Sequence, residues 1–214
     1  MLTRTGSPFA LIRATRKDMD RFRFPAVQTG LVLGPDQRGR PVAVEAFRPA
    51  PTHVVVIGSL RFAQLLGFRA LALGAHLSIR SPVPTRWTVL TQQRGEPGAR
   101  PRPELLLVDN VSSGPIEANP SLRPWSTVLS VRQDIEPADA EPLGRADLVL
   151  VQARPDGQAT LLANALNLPE SVASSFSTIP EGFVAVVHRR NVQWVRLTPT
   201  MVERHLIGDP FQTS

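Results

Sequence analysis

The stretch from His53 to Arg80 constrains the fold more than any other, because it has the pattern of a strand, a turn, a helix and a second strand. Val54 to Ile57 is a continuous β-branched run, which is typical of a strand buried on both faces. After Gly58 and Ser59, the residues from Leu60 to Leu73 are apolar nearly all round, as in a helix that other elements cover. The stretch therefore predicts a βαβ crossover, in which a helix joins two parallel strands.

Gly58, Ser59 and Leu60 form a candidate phosphate-binding turn, because the first backbone amides of a helix attract anions. A phosphate loop, however, needs several glycines followed by a lysine and a hydroxyl residue. The loop here is GSLRFAQ, and the only lysine of the chain is Lys17, far upstream. The sequence therefore favours a plain crossover turn in which any phosphate site is vestigial, and we expect no cofactor.

Strands and helices are also predicted to alternate outside the crossover. Two hairpins are expected, at residues 31–33 with 42–44 and at 183–188 with 192–197. Further strands are expected at 104–110, 125–131 and 146–152, and helices at 158–168 and 169–179. Thr200 and Glu203 predict a capping box over a last short helix that ends near Gly208. Residues 82–93 predict a short helix or an irregular segment, and the acidic, proline-rich residues 132–145 predict surface chain.

Continuous apolar strands that alternate with helices are typical of a three-layer α/β domain with a mostly parallel sheet. The final hairpin adds an antiparallel edge to that sheet. We expect a single α/β domain over residues 22–208, preceded by an N-terminal arm at 1–21 and followed by a C-terminal tail at 209–214.

The composition excludes several kinds of site. The 214 residues contain no cysteine, so a disulfide framework, a zinc-thiolate site and a cysteine nucleophile are all excluded. The histidines His53, His76, His188 and His205 lie on separate elements without metal-ligand spacing, and no metal site is expected. No serine stands in a Gly-x-Ser-x-Gly elbow. We therefore predict no catalytic residue.

The net charge of +6 comes mainly from arginines that are scattered along the chain. Such a balance suits nucleic acid, but scattered arginine is also typical of a GC-rich genome, and we favour that interpretation over a nucleic-acid partner. No apolar run is long enough to span a bilayer, and the N-terminus lacks the pattern of a signal peptide. These features predict a cytoplasmic protein.

A few residues are candidates for chemistry or binding. Asp109 ends an apolar strand, which is where nucleotide hydrolases hold magnesium, but its neighbour is Asn110, and we favour a vestigial or loop-capping acid. Aromatic residues and arginine dominate interface hot spots, although tryptophans also pack in cores. The candidate interface residues are Trp87, Trp125, Trp194, Arg61 and Arg69.

The order of these parts resembles that of the FtsK/SpoIIIE-type motor ATPases over roughly residues 28–197. TGLVLGPDQRGRPVAVEAF before HVVVIG is similar to the hairpin that precedes their phosphate-loop strand, and RPELLLVDN resembles their second acidic strand. ADLVLVQARPDGQATLLANALNLP followed by IPEGFVAVV is similar to their late strand, helix and glycine turn. The resemblance implies a P-loop NTPase-like fold. Because the phosphate lysine and the adjacent hydroxyl are missing, it is a degenerate one, for which no ATP hydrolysis is expected.

VVVIGSLRFAQLLGFRALALGAHLSI followed by SPVPTRW also resembles the cytosolic domain of EccE, a component of actinobacterial type VII (ESX) secretion. That resemblance implies a non-catalytic structural and interaction subunit of a secretion machinery, at the inner face of the membrane. Its partners would be other protein subunits, such as a secretion ATPase or a membrane complex, with self-association as a further expectation. Family members usually carry N-terminal membrane helices, and no such run occurs here. The alternatives are a nucleotide-binding regulatory domain without turnover and a basic nucleic-acid-associated protein.

Overall fold

The computed structural model describes residues 30–93, 102–110 and 123–211, so the predicted arm at 1–21 lies outside the described residues. The strands are β1 (Leu31–Pro35), β2 (Pro41–Val44), β3 (Thr52–Ile57), β4 (His76–Arg80), β5 (Glu104–Asp109), β6 (Ser126–Arg132), β7 (Leu148–Val151), β8 (Phe183–His188) and β9 (Asn191–Arg196). The helices are α1 (Leu60–Ala72), α2 (Thr88–Thr91), α3 (Ala140–Arg145), α4 (Asp156–Ala165), α5 (Glu170–Ser177) and α6 (Met201–Ile207). Short 3₁₀ turns occupy Pro84–Trp87 and Pro137–Asp139.

Seven strands form one sheet in the order β4-β5-β6-β3-β7-β8-β9. The strands from β4 to β7 in that order are parallel, and β8 and β9 are antiparallel. The predicted fold class, a mostly parallel α/β sheet with an antiparallel edge hairpin, is therefore confirmed. Strand β3 lies at the centre of the sheet, between β6 and β7. The predicted crossover runs from β3 through α1 to β4 at the edge of the sheet, so β5 and β6 lie between its two parallel strands.

Both faces of β3 are covered, which gives the domain its three layers. Val54 and Val56 pack in the cluster that contains α1, α6 and the β1–β2 hairpin. Val55 and Ile57 pack in a second cluster with α3, α4 and α5. All four side chains are at most 2% exposed, which explains why the strand is continuously β-branched instead of alternating apolar with polar.

The C-terminal helix α6 starts at the capping box that the sequence predicts. The Thr200 hydroxyl accepts the Glu203 N–H at 3.2 Å, and the Glu203 carboxylate accepts the Thr200 N–H at 2.6 Å. Gly208 ends the helix with a φ of 78°, a conformation that glycine adopts without strain. This geometry turns the chain back toward the sheet.

The segment 132–145 differs from its prediction as surface chain. It forms a 3₁₀ turn and α3, and it buries Ile135, Asp139 and Leu143. Pro137 and Pro142 suggested irregular chain, but each lies in the first turn of its helix, where the missing N–H breaks no bond.

The start of one predicted helix also changes. Pro169 is the N-cap of α5 and not its first residue. Residues 209–211, the described part of the C-terminal tail, lie against the domain, and Pro210 is buried.

Candidate functional site at the carboxyl end of the parallel strands

The turn after β3 is the centre of the candidate site. Only Gly58 and Ser59 separate β3 from α1, and Ser59 is the N-cap of the helix. Its hydroxyl oxygen accepts the Phe62 N–H at 3.1 Å and its hydroxyl hydrogen is donated to the Pro210 carbonyl oxygen at 2.5 Å. Ser59 is 4% exposed, so both bonds are shielded from solvent. The turn is therefore short and closed, unlike a loop that wraps around phosphates.

Gln152 closes the turn from the neighbouring strand β7. Its Oε1 accepts the backbone N–H of Ser59 at 2.7 Å, and its Nε2 donates to the Pro210 carbonyl at 2.9 Å. The side chain lies directly over Gly58, where an added Cβ would be 2.6 Å from Oε1. Gly58 is thus required by the close approach of this amide.

The C-terminal segment that follows α6 supplies the third part of the closure. Pro210 is buried and its carbonyl accepts from both Ser59 and Gln152. The Arg61 guanidinium lies against Gly208, where an added Cβ would be 3.3 Å from its Cζ. The Ser59 N–H and hydroxyl at the start of α1 therefore face oxygen atoms of the chain itself, where a phosphate would have to bind.

Asp109 ends β5 as predicted, but its carboxylate is engaged in the core. One oxygen, Oδ2, accepts the Trp87 indole N–H at 2.6 Å and the Ser81 hydroxyl at 2.7 Å. Arg86 Nη1 lies 3.8 Å from the same oxygen. Asp109 is 5% exposed, so its role in the structure is to anchor the Pro84–Trp87 turn.

Two of the candidate interface residues have internal roles. Trp87 is fully buried, in agreement with the core-packing alternative, and its indole has no surface for a partner. The Arg69 guanidinium pairs with Glu203 at 2.7 Å and 3.1 Å. It also donates to the carbonyls of Val32, Leu33 and Thr198. Arg69 therefore holds β1 and α6 against α1.

The other two tryptophans reach the surface. Trp125 is 46% exposed and adopts a φ of 64° just before β6. Trp194 is half-buried, and its ring lies edge-on to Phe176 at a centroid distance of 6.1 Å. These two tryptophans and Arg61 belong to separate elements, so the structure does not gather the candidates into one site.

Sequence reasoning missed Gln152 and the Arg132–Asp139 pair. Arg132 ends β6, and its Nη2 donates to Asp139 at 2.7 Å with side chains only 5% and 1% exposed. A sequence signal for these contacts was available, because a polar residue follows the apolar run at three strand ends: Asp109, Arg132 and Gln152. The carboxyl ends of parallel strands lie at one edge of a sheet, so these side chains could have been expected near one another. Asp109, Arg132 and Gln152 each form side-chain hydrogen bonds within the domain, whereas the buried Nδ2 of the adjacent Asn110 has no hydrogen-bond partner among the described residues.

A further missed contact lies at the opposite end of the central strand. His53 Nε2 is 3.1 Å from the Ser130 hydroxyl, and the His53 backbone N–H donates to Asp147 at 2.8 Å. Burial lowers the pKa of His53, and the nearby Asp147 carboxylate only partly opposes that effect. Ser130 is fully buried, so this pair is a structural contact of the sheet.

Comparison with solved structures establishes the fold. VirB4 of Thermoanaerobacter pseudethanolicus is 9% identical and superposes with a TM-score of 0.55, covering 81% of this chain and 98% of that chain. The chain has a P-loop ATPase-like fold. At this identity the similarity concerns the fold alone. No family model and no curated protein matches the sequence.

Two other solved structures align with lower scores. B204, the DNA-packaging ATPase from Sulfolobus turreted icosahedral virus, is 9% identical with a TM-score of 0.45, over 69% of this chain and 98% of that chain. A protein described as an ATPase is 13% identical with a TM-score of 0.45, over 86% and 93%. Similarity at that level adds nothing to the fold assignment.

Neither a three-residue metal-ligand cluster nor a membrane-spanning helix occurs in the described ranges. No three histidine, aspartate or glutamate side chains there come together in a way that could hold a metal ion. None of the helices in the same ranges combines the length and the apolar character that crossing a membrane requires.

Proposed function

We propose that this protein is a non-catalytic interaction subunit of a protein secretion machinery of the type VII kind. It uses a P-loop ATPase-like fold as a scaffold, with its nucleotide corner filled by its own chain. The observation that carries the proposal is the closure of the Gly58–Ser59 turn by Gln152 and Pro210.

The closure argues against nucleotide binding on energetic grounds. A phosphate at this corner would have to displace the Gln152 amide and the Pro210 carbonyl, which are joined to Ser59 and to each other by three hydrogen bonds. Each buried polar group left without a partner costs about 1–3 kcal/mol. The loop sequence GSLRFAQ contains no lysine that could compensate. The nucleotide-binding regulator is therefore the weaker candidate.

The same reasoning supports a structural role for the acid at the end of β5. A magnesium-holding aspartate must present its carboxylate to the metal and its waters. Asp109 instead accepts from Trp87 and Ser81 and is 5% exposed. It would have to release the Pro84–Trp87 turn to bind a metal.

The secretion assignment rests on the EccE resemblance of the residues from Val54 to Trp87, and its partners would be other subunits of that machinery. An apolar surface beside α6 supports an interaction role. Val32, Leu73, Met201 and Val202 are 45–89% exposed, and the first two line a groove of about 380 Å³. A cytoplasmic location at the inner membrane face belongs to the same proposal.

Titration calorimetry with ATP and Mg²⁺, together with a phosphate-release assay, tests the proposal. We expect no heat of binding, no thermal shift and no turnover at saturating nucleotide. Hydrolysis that the Asp109→Ala variant abolishes would refute the non-catalytic role. Co-purification with a secretion ATPase, or a gene neighbourhood that encodes one, would support the secretion assignment, and a neighbourhood without secretion genes would count against it.

A further inference from the structure

A groove runs along the outer edge of β9, the last strand of the sheet. We call it the β9 groove, and its volume is about 410 Å³. The residues that matter in its lining are Arg38, Arg40, Asn191, Val192, Gln193 and Trp194. It adjoins a smaller pocket of about 220 Å³, which shares Gln37 and Trp194 with it and is also lined by Ile179 and Phe183. The two cavities make one continuous surface, polar at one end and apolar at the other.

The edge of β9 that lines the β9 groove exposes backbone N–H and carbonyl groups that could pair with another strand. In addition to its pairing with β8, the second half of β9 contacts the first hairpin through an isolated bridge between Asp36 and Val195. In the described part of the chain, no strand pairs with Asn191–Gln193 on that side. Asn191 pairs with His188 across a two-residue turn, so the alternation of an antiparallel ladder points the Val192 N–H and carbonyl outward. Such an edge accepts an added extended segment.

The walls of the β9 groove carry positive charge. Arg38 lines it, and Arg189 and Arg190 form the exposed turn that leads into Asn191. Among the described residues the only acid in its lining is Asp36, whose charge is already neutralised, since its carboxylate pairs with Arg40 at 2.8 Å and accepts two backbone N–H groups. A carboxylate-bearing ligand would therefore meet Arg38, Arg189 and Arg190 without an opposing charge from Asp36.

The adjoining apolar pocket would make the groove selective for ligands that carry an apolar side chain at one position. Ile179, Phe183 and Trp194 line it, and its volume suits one medium-sized apolar side chain. The Trp194 ring packs edge-on against Phe176, so it forms a wall and is not a free platform for stacking bases. This arrangement favours a peptide over a single-stranded nucleic acid.

We propose that the β9 groove binds an extended acidic segment of a partner protein. The segment adds a strand to β9 through Val192, inserts an apolar side chain beside Trp194, and places carboxylates on Arg38, Arg189 and Arg190. The proposal rests on the proposed function in one respect, namely that the occupant is a partner protein.

Fluorescence anisotropy with a peptide panel tests the proposal. The probes are fluorescein-labelled decapeptides in which aspartate and glutamate flank one central leucine, isoleucine, phenylalanine or methionine. Controls replace every acid with its amide or use a ten-nucleotide oligothymidine. We expect an acidic peptide to bind at least tenfold more tightly than its amide counterpart and than the oligonucleotide, and to weaken as salt rises. Tighter binding of the oligonucleotide, or no binding of any acidic peptide, would overturn the proposal.

Two variants separate charge from strand addition. Arg189→Glu with Arg190→Glu should weaken the best peptide at least tenfold, whereas the matched double change Arg145→Glu with Arg204→Glu, at exposed positions on α3 and α6, should change it less than threefold. Val192→Pro removes an outward N–H that β8 does not use, so it should abolish binding while Val192→Thr retains it. Thermal melts verify that each variant is folded, and equal binding by Val192→Pro and Val192→Thr would refute strand addition.

The outcomes also separate this proposal from the proposed function. If the protein binds the peptide and also hydrolyses ATP, the non-catalytic role is refuted and the peptide-binding proposal stands. If the protein binds neither the peptide nor ATP, only the peptide-binding proposal is refuted.

Discussion

The Ser59 hydroxyl donates to the carbonyl oxygen of Pro210 at 2.5 Å, across 151 positions of sequence. This bond joins the start of the central helix to the segment after the last one. Gln152 bonds to both partners from the adjacent strand, so three distant parts of the chain meet where a P-loop ATPase would hold phosphate. The corner is thus a structural joint, and its energetics can be measured.

Replacing Gln152 with alanine should destabilise the protein without creating a nucleotide site. The change leaves the Ser59 N–H without its acceptor and removes one donor from the Pro210 carbonyl, at a cost of about 1–3 kcal/mol for a buried group that loses its partner. Urea denaturation followed by circular dichroism measures the loss. Gln133→Ala, at an exposed position, is the control and should stay within about 0.5 kcal/mol of the parent. ATP-dependent stabilisation of Gln152→Ala would contradict the expectation that this corner has no nucleotide site.

Gly58→Ala should destabilise through a steric conflict with the same amide. The new Cβ would be 2.6 Å from Gln152 Oε1, and the amide cannot withdraw without breaking its bonds to Ser59 and Pro210. We expect a loss of about 1–3 kcal/mol in the free energy of unfolding. Gly157→Ala in the first turn of α4, where nothing lies within 4 Å of the new Cβ, should be neutral or raise stability by up to about 1 kcal/mol. Equal effects of the two changes would show that Gln152 can move freely.

Asp109→Ala should loosen the turn that carries Trp87. The buried indole N–H loses its 2.6 Å acceptor and the Ser81 hydroxyl loses its own, so we expect about 1–3 kcal/mol of destabilisation. Near-ultraviolet circular dichroism of the tryptophans should change at the same time. Asp109→Asn keeps one oxygen acceptor and should lose less. A folded Asp109→Ala variant with unchanged stability would mean that the carboxylate has a role other than anchoring.

Local sequence patterns predicted the elements whose cause is local. The α6 capping box depends on Thr200 and Glu203, which are three residues apart, and the hydrogen bonds of both are present. The closure of the corner depends instead on Ser59 and Gln152, 93 residues apart, and no window along the chain contains both. Proline misled the interpretation of residues 132–145, because sequence shows a helix breaker and not its position in the first turn. The fold class was thus predictable from periodicity. Predicting the closure of the Gly58–Ser59 turn would have required knowledge of which distant side chains are in contact.

Acid should destabilise the domain in two separate pH windows, of which the first belongs to His53. Burial lowers the pKa of His53 in the folded state, so between that value and the unfolded value of about 6.5 the unfolded chain binds more protons. Stability therefore falls as pH drops below about 6.5 and levels off once the folded pKa is passed. Denaturation of the parent and of His53→Gln between pH 7.5 and 5 measures the effect, since the variant should lose this slope. His188→Gln, at an exposed position, is the control and should keep it.

The second window belongs to Glu203, which joins α6 to Arg69. Burial alone would raise its pKa, but hydrogen bonds from the Arg69 guanidinium and the Thr200 N–H outweigh that effect and lower the pKa below the usual value. Stability from this carboxylate is therefore fully present above its unfolded pKa and is lost as pH falls through the folded one. Glu203→Gln should flatten the unfolding free energy below about pH 4.5, whereas Glu141→Gln, whose partner Arg145 is exposed, should leave the profile unchanged. An unaltered acid profile in Glu203→Gln would indicate that the Arg69–Glu203 pair does not contribute to stability and that Arg69 acts through the carbonyls of Val32, Leu33 and Thr198.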